Sequence, residues 1–153
     1  MTCEANATKF LITFLILISV INSFSFAKDV AFEIDEEDSP KWVIELFQNE
    51  NERYVFRKFR IPSNDIILYG AAETEDETSS RILASKRSEQ MALRKFSKAV
   101  GFTVNAATFN GMELVQETCI DYFDEDGRHF YQTFCLYRIN RSVWDLQVRT
   151  QKN

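Results

Sequence analysis

One stretch constrains this chain more than any other: residues 74–101 (TEDETSSRILASKRSEQMALRKFSKAVG), a long run of helix-forming sequence punctuated at both ends. Thr74-Glu-Asp-Glu77 fits a capping box, with Asp76 or Thr78 as equally good caps. Acids gather at the start (Glu73, Glu75, Asp76, Glu77) and bases further along (Arg81, Lys86, Arg87, Arg94, Lys95, Lys98), the distribution that a helix macrodipole favours. Gly101 stands where a left-handed C-terminal residue is wanted. A stripe of mostly small residues runs along it: Ser85, Ser88, Ala92, Phe96 and Ala99, flanked by Ile82, Glu89 and Val100. Small side chains let a helix lie close on a sheet, so the stripe reads as scaffold rather than as a ligand groove.

The flanks of this helix read as strand. Residues 66–69 (IILY) form a short apolar run ending at Gly70, which lets the backbone bend away toward the helix. Downstream, residues 113–123 and 129–139 alternate as the two arms of a hairpin around Asp124-Glu-Asp-Gly127. Upstream, residues 42–47 (WVIELF) and 53–61 (RYVFRKFRI) are rich in aromatic and β-branched residues and predict two further strands around the polar run 48–52. The second of these interleaves Arg53, Arg57, Lys58 and Arg60 with Tyr54, Phe56 and Phe59; a half-exposed strand explains that pattern better than a single-strand nucleic-acid platform. Ser142-Val-Trp-Asp145 is a second possible capping box and predicts a short C-terminal helix. The expected fold is therefore α+β, an antiparallel sheet packed against one long helix.

The N-terminus carries an address. Lys9 precedes the apolar run 10–21 (FLITFLILISVI), and Ser25 and Ala27 occupy the positions of a signal-peptidase site. The run falls short of the roughly 20 residues that span a bilayer. Residues 1–27 are expected to be a signal peptide cleaved after Ala27, with an uncleaved anchor as the other reading. Residues 28–38 (KDVAFEIDEED) follow as an acidic, solvated leader, and residues 39–153 form a single domain. Losing residues 1–27 removes Cys3, Lys9 and Glu4, so the net charge stays at -5, which disfavours nucleic acid as a partner. Two cysteines remain, in a compartment where pairing is possible. If the hairpin loop is residues 125–129, Cys119 lies opposite Cys135; neighbouring registers move them one or two places out of line, so a disulfide is possible but not forced.

No catalytic constellation is visible. His129 is the single histidine, beside the hairpin loop with no nucleophile motif around it. Asp124, Asp126 and Gly127 superficially suit a calcium loop. Setting Gly127 at the loop's sixth position puts Tyr122 and Thr133 where carboxylates are required, so the match fails. No metal, cofactor or small-molecule substrate is implied. Asn140-Arg141-Ser142 matches an N-glycosylation acceptor, relevant only in a eukaryote. The hairpin register places Val115, Cys119, Phe123, Tyr131, Cys135, Tyr137 and Ile139 on one face, which the long helix can cover. Leu114, Ile120, Tyr122, Phe130, Phe134 and Leu136 fall on the other. That second face needs a cover from the N-terminal strands, the tail or a partner, and Ile120, Tyr122, Phe130, Phe134 and Leu136 are its candidate interface.

Ser39-Pro-Lys-Trp-Val43, the strand end Ile67-Leu-Tyr-Gly-Ala71, the segment 92–100 (ALRKFSKAV) within the helix, and the turn 124–127 before the last strand together resemble the Lpp-twenty family. Those are small bacterial outer-envelope lipoproteins and their flagellar disk relatives. The resemblance spans roughly residues 39–139. It departs from the family in lacking the lipid-bearing Cys and in having Ser85 and Ser88 where alanine is usual. It implies a non-enzymatic envelope component that self-associates or docks to a larger assembly, associated with the envelope without a lipid anchor, and it supplies no catalytic residues. Two other readings are a secreted cystatin-like binding module, although no Gln-x-Val-x-Gly loop is present, and a small hydrolase with a carboxylate pair.

Overall fold

The computed structural model describes residues 32–153. The signal-peptide reading, its cleavage after Ala27, and Cys3 lie outside these residues. Strand β1 is Ile66–Thr74, helix α3 is Glu77–Val100, and the hairpin strands are β2, Met112–Phe123, and β3, His129–Ile139. The three strands form one antiparallel sheet in the order β1-β3-β2, so α3 carries the chain across the sheet from one edge to the other. A last helix, α4, is Arg141–Lys152. The fold is α+β, with a long helix and a C-terminal helix against an antiparallel sheet.

Helix α3 starts and stops for local reasons. Asp76 is the N-cap: its Oδ2 accepts the Ser79 amide at 2.7 Å, and that bond holds its carboxyl below the usual carboxylate range. Thr74 belongs to β1 instead. Gly101, at φ 91°, ends the helix and donates its N–H to the Ser97 carbonyl. The buried face is Ser80, Ala84, Ser88, Ala92, Phe96 and Val100, an unbroken i, i+4 row. Such a row is inclined to the helix axis, which suits a helix lying across a twisted sheet. Ser85 and Ala99 sit at the margin, half-buried. Gly70 is not a bend at the end of a strand. It sits inside β1, where α3 approaches most closely: a Cβ there would stand 2.3 Å from the Ala84 carbonyl oxygen and 2.7 Å from the Ser88 amide nitrogen.

The segments expected as two N-terminal strands are helices. Helix α1, Lys41–Val43, runs directly into a π-helical turn, Ile44–Gln48, and α2 is Glu52–Lys58. Trp42, Val43 and Leu46 are the buried side chains of the first pair, a helical spacing rather than an alternating one. The Asn51 side chain caps α2 by accepting the Tyr54 amide, and Arg60 at φ 54° turns the chain out of it. Aromatic and β-branched composition suggested strand, but a large apolar surface to cover outweighs such weak propensities in helices this short.

What these helices cover is the sheet face opposite α3. Val43, Leu46, Val55 and Ile61 pack with Ile67, Ala71, Phe134 and Leu136 in one core cluster. Phe47 meets both Tyr69 and Phe134 edge-on at 5.3 Å, and Phe32 meets Phe134 at 5.9 Å. The acidic leader is therefore not wholly solvated. Phe32 and Ile34 alternate into the core, and Gln132 and Gln48 donate side-chain hydrogen bonds to the carbonyls of Glu33 and Ile34. A second cluster, under α3 and α4, joins Leu68, Ala92, Phe96, Ile139 and Trp144. Trp144 stacks on Phe109 at 6.0 Å, and Gln147 ties the loop before β2 to α4 through both backbone groups of Asn110. The cap of α4 is Asn140, whose side chain accepts the Ser142 amide; Ser142 is already inside the helix. Asp65 links β1 to the same helix, its buried carboxylate accepting the Arg141 amide at 3.3 Å.

Candidate interaction surface

The hairpin turn is held by one side chain. Asp124 accepts the amides of Asp126 and Arg128 at 3.0 and 2.8 Å and pairs with the Arg128 guanidinium at 2.8 Å, which keeps its carboxyl low. Gly127 takes φ 78° between them. The Asp124 carboxylate is thus occupied in shaping the turn. Among the described residues no group of three or more His, Cys, Asp or Glu side chains is placed to hold a metal ion.

Pairing in the hairpin is Phe123↔His129, Tyr122↔Phe130 and Asp121↔Tyr131, while β1 ends opposite Tyr131 through Thr74. The Phe123↔His129 and Tyr122↔Phe130 pairs therefore project beyond the three-stranded sheet. On the α3 side of this projection, Phe123 stacks on the His129 ring at 4.5 Å and 9°, and His129 meets Tyr131 at 4.4 Å. His129 Nε2 lies 3.0 Å from Asp121 Oδ2, and Nδ1 lies 3.3 Å from the Tyr131 hydroxyl. The single histidine, beside the hairpin loop, is a positioned member of an aromatic ladder. On the other side Tyr122 stacks on Phe130 at 5.7 Å, with the Arg128 guanidinium 5.4 Å from the Phe130 ring centroid. The Tyr122 hydroxyl donates to Glu73 Oε2 at 2.7 Å; desolvation and that carboxylate push the phenol up to about 12. Phe123 is 67% exposed.

The candidate interface divides in two. Phe134 and Leu136 are fully buried beneath α1 and α2, so they cannot meet a partner, and Ile120 is half-buried against the same cluster. Tyr122 and Phe130 remain at the projecting end. A β-bulge between Leu114 and Gln116 exchanges the faces expected near the start of β2. Val115 packs toward the N-terminal helices, while Leu114 stands opposite Tyr137. Cys119 pairs with Thr133 and Cys135 with Glu117, which leaves the cysteines two places out of line; both are free thiols. Diagonal neighbours on a strand pair are about 7–8 Å apart at Cα, beyond the reach of a disulfide.

A groove of about 320 Å³ runs along β2 on the side of the N-terminal helices. Lys41, Tyr54, Lys58 and Phe59 line one wall, and Gln116 and Thr118 line the other. The basic and aromatic residues of α2 noticed in the sequence thus contribute to a concave surface. Nothing in the sequence pattern placed it beside β2, because the segment was assigned to a strand.

No protein-family model matches this chain, and no curated protein matches it. Among solved structures, the chain is similar to the secreted protein HP1454 from the human pathogen Helicobacter pylori, at 19% identity and a TM-score of 0.34. That match covers 57% of this chain and 35% of the other, so the chain spans about a third of that protein's length. The likeness is too shallow to bear on function. Among the described residues no helix is long and apolar enough to cross a membrane.

Proposed function

We propose that this protein is a non-enzymatic, exported component of the cell envelope that works as an interaction module, docking to a larger assembly or to its own copies through the projecting end of the hairpin. The observation that carries the reading is the aromatic ladder there. Phe123, His129 and Tyr131 on one face, and Tyr122 and Phe130 on the other, are rings fixed by stacking and hydrogen bonds yet left at the surface. Rigid, partly exposed aromatic side chains lose little conformational freedom on binding and serve as anchors in protein interfaces. Both nitrogens of His129 are engaged by Asp121 and Tyr131, an arrangement suited to holding the ring in place. The envelope assignment is supported by the signal-like N-terminus and by the resemblance to the Lpp-twenty family.

The test is fractionation of the full-length chain in its own cells, followed by size-exclusion chromatography of the envelope fraction. The expected result is an envelope-associated species larger than the monomer, which Phe123→Ser with Phe130→Ser returns to monomer size. Recovery from the cytosol, or a monodisperse monomer unaffected by these substitutions, overturns the proposal.

A further inference from the structure

We infer that the outer edge of β2 accepts an extended peptide as a fourth strand, added antiparallel, whose groove-facing side chains are acidic. The inference rests on the interaction-module reading and adds a second surface to the projecting hairpin end, with its partner class.

The two edges of this sheet are treated differently. At β1 the Lys95 ammonium and the Arg87 guanidinium donate to the carbonyls of Ile67 and Ala71, so long cationic side chains occupy the edge. That polarity also fixes which residues of β2 face outward. In an antiparallel ladder, bonded and non-bonded pairs alternate. Ile67 and Ala71 turn their carbonyls away from β3, so their partners Arg138 and Phe134 turn their backbone groups toward β2. Thr118, opposite Phe134, is then bonded inward, and Glu117, Cys119 and Asp121 present their N–H and C=O groups outward. The Glu117 carbonyl is met by the Gln116 amide of the same strand at 2.9 Å, a contact that an incoming strand's N–H displaces.

Side chains of an added strand alternate between two environments. Those opposite Gln116 and Thr118 enter the groove, where Lys41 and Lys58 supply two ammonium groups and Tyr54 and Phe59 supply rings. The Lys41 ammonium lies 5.8 Å from the Tyr54 ring centroid, and both lysines are exposed. Those opposite Glu117 and Asp121 lie on the α3 side, where Arg81 pairs with Glu117 at 3.4 Å and His129 Nε2 lies 3.0 Å from Asp121 Oδ2. Charge therefore selects acidic side chains in the groove, and the partnered carboxylates of the other face suit neutral ones. It also disfavours a second copy of β2 in the two registers centred on Cys119 and Glu117. An antiparallel self-pairing centred on Cys119 sets Glu117 opposite Asp121, and one centred on Glu117 sets it opposite itself, both like-charge pairs.

The experiment uses the full chain after signal removal and capped ten-residue peptides alternating Glu with Thr, or Lys with Thr. Binding is read by calorimetry, and amide hydrogen exchange is followed at Glu117, Cys119 and Asp121. The Glu–Thr peptide is expected to bind and to slow exchange at those three amides at least tenfold, while the Lys–Thr peptide binds at least tenfold more weakly. Lys41→Glu with Lys58→Glu is expected to reverse that preference. Methylating the Thr amide nitrogens of the peptide, which face β2, is expected to abolish binding; methylating the Glu amide nitrogens is expected to leave it intact. Equal binding of the Glu and Lys peptides, binding of neither, or indifference to Thr N-methylation overturns the inference. If the peptides fail while the ring-dependent complex still forms in cells, only this inference falls; if that complex is absent, the interaction reading falls as well.

Discussion

Gly70 faces the backbone of Ala84 so closely that a Cβ at position 70 would lie 2.3 Å from the Ala84 carbonyl oxygen. The obstructing atoms are main-chain, fixed within a 24-residue helix, so they cannot swing aside. Gly70→Ala is expected to destabilise the protein by roughly 3 kcal/mol, at the upper end of overpacking costs. Gly127→Ala provides the contrast: nothing lies within 4 Å of its Cβ position, and only its φ of 78° resists substitution. That change should cost about 1 kcal/mol. Urea unfolding of the two variants checks both figures, and equal losses would contradict the packing described.

The helix and the strand it touches were legible in the sequence to different degrees. Caps of the kind seen at Asp76 and Gly101 depend on local chemistry alone, and so does the turn at Asp124 and Gly127. The closest approach at Gly70 depends on where α3 lands, which no local pattern states. The row Ser80, Ala84, Ser88, Ala92 was read one residue out of phase in part, through Ser85, because both rows consist of small residues.

A single buried hydroxyl joins three elements. Ser80 Oγ lies 2.8 Å from Thr133 Oγ1, 2.9 Å from the Tyr131 carbonyl oxygen and 3.0 Å from that of Ala72. Ser80→Ala removes this buried hydroxyl from the contact between α3 and the sheet and should cost about 1–2 kcal/mol. Thr133→Val removes the matching hydroxyl, which also reaches Cys119 Sγ at 3.5 Å. The double variant should lose less than the sum of the single ones, by roughly 1 kcal/mol. Strict additivity in a double-mutant cycle would show that the two hydroxyls act independently.

The cysteines differ in access and in acidity. Cys135 is fully buried, and burial, with Glu117 beside it, pushes its thiol up to about 12 from an ordinary value of 9.0. The unfolded chain ionises this thiol above pH 9, whereas the folded chain does not. Its contribution is therefore complete below pH 9 and falls as pH rises toward 12, by about 1.4 kcal/mol for each pH unit. Tyr69, pushed by burial and Glu52 from 10.0 up to about 12, adds a second decline that begins only above pH 10. Between pH 9 and 10 the native protein should lose stability faster than Cys135→Ala. Of these two thiols, iodoacetamide on the folded protein should modify Cys119, with Cys135 reacting on unfolding; rapid modification of both would refute the burial.

The N-terminal half was the least legible part of the fold, and the reason bears on the site. Trp42, Val43 and Leu46 carry a helical period, but three buried positions over five residues are too few to outvote aromatic and β-branched composition. Asn51 was the overlooked signal, a capping residue one place before Glu52. Once residues 41–48 and 52–58 are helical, this segment covers Phe134 and Leu136, and the candidate interface shrinks to Tyr122 and Phe130 at the projecting end. The alternation of the hairpin was readable; which of its rings stay uncovered was not.

Two phenylalanines eleven residues apart make this division measurable. Phe134 is fully buried among Phe32, Phe47 and Leu46, and Phe134→Ala removes a large side chain from a packed core; the cost should be about 3–5 kcal/mol. Phe123 is 67% exposed and touches chiefly the His129 ring, so Phe123→Ala should change stability by no more than about 0.5 kcal/mol. The effect on assembly should run the other way. Phe123→Ala is expected to weaken the envelope complex while leaving the thermal unfolding midpoint near that of the native protein. Phe134→Ala, assayed below its own lowered midpoint, should still assemble. An exposed ring whose loss unfolded the protein would belong to the core, and one whose loss changed neither stability nor assembly would remove the hairpin end from consideration as the working surface.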